Sequence, residues 1–321
     1  MKIKPKRIFA GFLVAGLAAA VLWLRPDLGI DSRSMTGESK KIQPVDLSAY
    51  ADGSPNRQLN LLFIHHSCGG QLLASAGPDQ GTNCIYTTHP NGGGLRSRLE
   101  QSSYRFHEAS YGSRIGEKTD VFDWLPKFRN AMDEILTCDF QDSRYSDGRR
   151  NDVVVFKSCF PNNAFKSRGE APGNSMGPEL TLSNAKAAYS ALLEEFRKQP
   201  QTLFVCLTAP PLAKPPPQPL WRQALNKIRG RIPAEIAGAP LAREFSNWLE
   251  DGNGWLKNSN LTNVVVFNYY DVLTGHGQSD LSVYPSGDGY DSHPSREGNE
   301  KAAQAFVPFL NRAARRAGLS S

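Results

Sequence analysis

The sequence predicts a three-layer α/β/α sandwich on a parallel sheet of about five strands. Apolar runs of strand length recur five times after residue 58, and helical patterns lie between most of them. Most of the runs are apolar throughout rather than alternating, as in strands covered on both faces; "RFHEAS" is the weakest of the five. Strand and helix in alternation place helices on both sides of one parallel sheet.

The elements follow in chain order. Residues 8–24, "IFAGFLVAGLAAAVLWL", carry no charge and follow Lys2, Lys4, Lys6 and Arg7. Seventeen residues are at the short limit for a membrane span of roughly 20. The cations keep the start of the chain in the cytoplasm and the rest outside it. "LAAAV" also suits a cleavage site, so 1–25 reads as a membrane anchor or a signal peptide. Residues 26–58 lack periodicity and read as a linker. The domain is expected over 59–321, in the cell envelope on the periplasmic or extracellular side, anchored or secreted.

The five runs are "LNLLFI" (59–64), "RFHEAS" (105–110), "DVVVFK" (152–157), "TLFVCL" (202–207) and "NVVVFN" (263–268). Between the third and fourth, Ala185, Ala188, Tyr189, Leu192 and Phe196 mark one face of a helix, with Ser183 as its N-cap. After the fifth, Ala302, Phe306, Phe309, Leu310 and Ala313 mark another, with Pro294 suited to its first turn.

Charge excludes one class of partner. The net charge is +6, but five cations fall within residues 1–25, leaving about +1 for the rest. That is no footprint for nucleic acid. Arg312, Arg315 and Arg316 read as a solvated helix end. The five cysteines are odd in number. Cys68 and Cys84 bracket a Gly-rich loop and are the best pair for a bridge, and Cys206 reads as a buried, inert thiol. No C-x-x-C or H-x-x-x-H spacing occurs, so no metal site and no cofactor is implied.

Parallel sheets bind ligands beyond the carboxyl ends of their strands. There the sequence places His65-His66-Ser67, then "YGSRIG" (111–116), "SCFPNN" (158–163), the proline-rich rim "TAPPLAKPPPQP" and finally "GDGYDSHPSREGN" (287–299). A serine needs a base to become a nucleophile. His293, beside acids and before a helix, is the natural one for Ser67. Gly112 (or Gly116) and Asn162 (or Asn163) lie where donors to an oxyanion would be needed. His65 and His66 point to opposite sides if still extended, so at most one faces the site. His89, His107 and His276 have no motif around them and read as surface or packing residues.

These blocks resemble the SGNH, or GDSL-like, hydrolases over about 59–315. "FIHHSCGG" stands where that family has F-x-G-D-S, "YGSRIG" in place of its Gly block, "FKSCFPNN" in place of G-x-N-D. "DSHPSREGNEKAAQAF" closely resembles the last block. His-His for Gly-Asp before the serine marks a divergent branch. The resemblance implies a flavodoxin-like hydrolase fold and a Ser67–His293–Asp291 site, with Gly112 and Asn162 as the oxyanion hole. Asp291 gives a D-x-H spacing where the family has D-x-x-H, so Asp288 is the alternative acid. His66, Asn163 and Asp288 are expected around the site. It implies hydrolysis of acyl esters of glycans or lipids, O-acetyl groups among them, with the membrane reached through the N-terminal segment. Two other classes stand beside it: a catalytically decayed glycan-binding module, and a metal-dependent hydrolase built on His65 and His66.

Overall fold

The computed structural model describes residues 42–229 and 233–319, so the anchor or signal peptide expected at 1–25 lies outside the described residues. Among the described residues, no helix is long and apolar enough to cross a membrane.

All five expected strands form one parallel sheet: β1 (Leu59–Ile64), β2 (Tyr104–Ala109), β3 (Val153–Lys157), β4 (Leu203–Leu207) and β5 (Val264–Phe267). Their order across the sheet is β5-β4-β3-β1-β2. Eight helices accompany them among the described residues: α1 (Cys68–Leu73), α2 (Leu95–Gln101), α3 (Trp124–Thr137), α4 (Leu182–Arg197), α5 (Leu220–Ile228), α6 (Ala234–Glu250), α7 (Tyr269–Leu273) and α8 (Arg296–Arg316). Successive strand residues face opposite sides. Leu62, Ile64, Val154, Phe156 and Phe204 therefore pack against α3, α4 and α6. Leu61, Phe63, Val153, Val155 and Val205 pack against α1, α2 and α8. This is the expected three-layer sandwich.

Two caps differ from expectation. Thr181, not Ser183, caps α4: its hydroxyl accepts from the Asn184 backbone N–H at 3.3 Å. Ser295 caps α8, which puts Pro294 just outside the helix. The expected apolar faces of both helices are otherwise the buried ones, with Phe309 only partly so.

The described part of the expected linker lies on the domain. Val45 packs against one core cluster and Leu47 against the other, so this strap straddles the sheet at its β5 edge. Gly252 N–H donates to Gln43 O at 2.7 Å. The arginines expected to be a solvated helix end are what hold it. Arg315 donates to the carbonyls of Ala51, Gly53 and Ser54, and Arg312 pairs with Asp52 at 3.0 Å. Arg316 donates to Leu261 and Thr262 O, just before β5. Arg315→Ala should lower stability by about 1–2 kcal/mol in a urea titration, the scale of a few partly exposed charged hydrogen bonds.

Candidate active site

In a sheet of this order, the chain leaves β1 toward β2 and returns to β3 on the other side. The crevice between the carboxyl ends of β1 and β3 is the switch point where ligands bind. Ser67 lies just past β1 and Cys159 just past β3, and they meet: Ser67 Oγ is 3.4 Å from Cys159 Sγ. Ser67 is partly exposed and precedes α1. The Gly-Gly pair there has a steric reason. A Cβ at Gly70 would come within 2.0 Å of Cys84 O, so the loop over 84–86 closes on bare backbone.

The two histidines diverge. His65 is sealed on the α1 side, with Nε2 3.0 Å from Glu108 Oε2. Glu108 Oε1 accepts from Arg96 at 2.6 Å, and Arg96 also donates to Tyr86 O. Burial pushes the Glu108 carboxyl up, but the His65 hydrogen bond and the His65 and Arg96 charges outweigh it and hold the group below its usual range. His66 turns to the α3 side and stacks on Tyr111 at 3.6 Å between ring centroids. Its Nε2–H donates to Gly116 O (2.6 Å), so Nδ1 accepts from the Thr119 hydroxyl (3.0 Å). Burial lowers its pKa from the ordinary histidine value and keeps the ring neutral at pH 7. A metal site on this pair would need the rings to converge, and they are held apart by different partners. Among the described residues, no three His, Cys, Asp or Glu side chains form a metal-binding group.

His293 lies on a short strand, Asp291–Pro294, that pairs antiparallel with Pro285–Ser286 just before α8. Asp291 Oδ1 accepts both its backbone N–H (3.0 Å) and its Nδ1–H (2.8 Å). Partial burial raises the Asp291 carboxyl, but His293 and the Ser286 hydroxyl more than offset that and leave it below its usual range. The D-x-H spacing thus closes within the short strand itself, and Asp288 is exposed and takes no part in it. The proton on Nδ1 leaves Nε2 as an acceptor. The ring packs edge-on against Phe160, at 4.9 Å, the residue after Cys159. No hydrogen bond joins Ser67 to His293; the serine hydroxyl is engaged with Cys159 instead.

The expected oxyanion donors are also engaged. Gly112 has φ +83°, and its N–H donates to Glu117 Oε1 at 3.0 Å. Asn162 Nδ2 donates to Asp120 Oδ1 (2.8 Å), while its Oδ1 accepts from Val121 N–H (2.7 Å). Asn163 is tied to the carbonyls of Ala209 and Pro210 at the proline-rich rim. The bridge expected between Cys68 and Cys84 is not formed, and all five cysteines are free. Burial pushes the Cys206 thiol up, as expected of an inert one. His89 and His107 pair with Asp79 and Asp139, and His276 with Asp271 near the surface.

Three residues went unread in the sequence. Asn299 is sealed and donates to Pro294 O and Asn91 O, holding the His293 loop to the Gly-rich loop. Lys157 and Cys159 flank the crevice, and Lys157 donates to Cys159 Sγ at 3.3 Å. The one available signal was a lysine closing an otherwise apolar strand, two residues before a cysteine.

No model of a known protein family matches the chain, and no curated protein matches it. Solved structures do. A carbohydrate esterase family 2 enzyme with its carbohydrate-binding domain, from Corynascus thermopiles (Myceliophthora fergusii), is 15% identical; the match covers 83% of this chain and 68% of that one, with a TM-score of 0.38. A catalytic mutant of an acetylxylan esterase from Geobacillus stearothermophilus is 14% identical over 83% of this chain and 95% of that one, with a TM-score of 0.36.

Glu108→Gln should cost about 3 kcal/mol at neutral pH by breaking a buried charge pair. The Glu108 carboxyl sits below its unfolded value when folded, so its stabilisation is full above that value and lost as pH falls. Urea titrations should show the gap between the two proteins narrowing below about pH 4.

Proposed function

We propose that the chain is a serine esterase of carboxylic acyl esters, with Ser67 as nucleophile, His293 as proton shuttle and Asp291 as its orienting acid. The observation that carries this reading is the Asp291–His293 pair. It fixes the Nδ1–H tautomer and leaves a basic nitrogen on a ring packed beside the loop that touches Ser67. The reading requires the Ser67 hydroxyl to turn from Cys159 to that nitrogen. Ser67 Oγ then attacks the ester carbonyl as His293 Nε2 takes its proton. The same proton passes to the departing alcohol, and water releases the acyl group by the reverse exchange. Gly112 and Asn162 serve the oxyanion in this reading, with Glu117 and Asp120 yielding their donors.

The mouth suits a glycan ester better than a long acyl chain. Tyr111 is 39% exposed on its stack with His66, and Tyr290 beside Asp291 is 45% exposed. Aromatic faces of this kind bury apolar surface while keeping a polar edge wet, as a sugar ring requires. A polar basin lined by Ser97, Arg98, Gln101, Arg296 and Glu300 opens at the start of α8. We place the domain outside the cytoplasm, with residues 8–24 as its anchor or its signal peptide. O-acetylated polysaccharide is the substrate class proposed; an acylated lipid is the competing one.

A non-catalytic glycan-binding module is the second reading, favoured by the Ser67–Cys159 contact and the missing Ser67–His293 bond. An organophosphonate probe separates the two, since it labels only an activated serine. Labelling at Ser67 is expected. Ser67→Ala and His293→Ala should each abolish turnover, and Asp291→Asn should lower kcat by roughly 10²–10⁴ with residual activity. Full ester hydrolysis by Ser67→Ala would end the serine mechanism. In a series of esters of rising chain length, kcat/KM is expected to peak at acetyl; a rise toward long chains would favour the lipid.

A further inference from the structure

Lys157 ends β3 and is 0% exposed. An ammonium in a dry interior costs several kcal/mol unless an opposite charge meets it. Its Nζ donates to Ser158 O at 3.1 Å and to Cys159 Sγ at 3.3 Å, and among the described residues it has no carboxylate in an ion pair. A carbonyl offers only a dipole, whereas a thiol can supply a full charge by losing its proton. The Sγ atom would then accept from Lys157 Nζ and from the Ser67 hydroxyl at 3.4 Å, among others.

We propose that Cys159 is a thiolate, paired with the sealed Lys157 ammonium and bonded to the Ser67 hydroxyl, and that it is a nucleophilic modification site taking soft electrophiles whose capping silences Ser67. Hydrogen bonding from Cys68, the Lys157 charge and the Ser67 hydroxyl hold this thiol well below its usual range, against burial. The groups around it come from several elements: Cys68 of α1, Lys157 of β3, Tyr269 of α7, His66 after β1 and Tyr111 after β2. Cys159 is partly exposed at the crevice. With iodoacetamide, its sulfur attacks the methylene carbon, the S–C bond forms, the C–I bond breaks and iodide leaves; no proton moves. The thioether is neutral, so Lys157 loses its counter-charge and Ser67 its present partner.

The silencing rests on Ser67 being the nucleophile proposed above; the thiolate does not. The full chain is treated with iodoacetamide at about pH 6, where a thiol of pKa ~8.5 is only ~0.3% ionised, and labelling is mapped by peptide. Cys159 should label at least tenfold faster than partly exposed Cys84. Lys157→Met should slow that labelling at least tenfold. Should that variant not fold, the difference in absorbance near 240 nm between wild type and Cys159→Ser at about pH 7 reads the thiolate without it. No such difference, or Cys159 labelling no faster than Cys84, overturns the assignment. Hydrolysis unchanged after complete capping of Cys159 overturns the silencing. A thiolate signal in a protein with no ester hydrolysis would uphold the Cys159 assignment and count against the esterase reading.

Discussion

The pairing of β1 with β3 is the constraint on which the rest depends. Leu61 lies beside Val153 and Ile64 beside Phe156, so the two strands run out of sheet at nearly the same level. The chain must then leave β1 and β3 in opposite lateral directions, and the polar residues just beyond them cannot avoid one another. Alternation does the sorting. His65 and Lys157 fall on the α1 and α8 side, His66 and Ser158 on the α3 side. Each face thus receives one histidine and one residue from the carboxyl end of β3 or just past it, and the crevice between them receives Ser67 and Cys159.

The rim is polar yet largely dry, which makes hydrogen-bond satisfaction decisive. Glu108 takes His65 and Arg96; Ser158 takes the Trp124 indole at 2.8 Å; Asn162 and Asn163 fasten the loops over α3 and the proline-rich rim. These bonds fix the backbone around the serine. They also explain why the Asn162 amide, read as an oxyanion donor, is occupied: it is buried, and a free amide donor there is costly.

The sheet was legible because four of its five strands are apolar runs, and burial on two faces leaves little room for another reading; β2, the edge strand, is the polar exception. The final block was legible because a histidine, an acid and a helix start lie within a few residues. The strap over 42–58 was not. Its anchors are arginines of α8 reaching carbonyls some 260 positions away in sequence, and a backbone acceptor leaves no mark on residue identity. Nor was the Thr181 cap separable from Ser183, since both hydroxyls suit the role and only the backbone bend decides. Lys157 was passed over because a cation at a strand end is ordinarily solvated. Only the sheet pairing reveals that this one has no route to water.

The strap has a mechanical consequence. Gln43 and Pro44 meet the turn after α6, and Ala51 to Ser54 meet the far end of α8, both beside the amino ends of the strands. The crevice opens at the opposite pole. Between residue 42 and the start of β1 the chain is therefore held at two places, on the turn after α6 and on the end of α8. The strap contacts and the crevice are separated by the full length of the strands. Loosening the strap would therefore act first on the amino ends of the strands, away from Ser67 and His293.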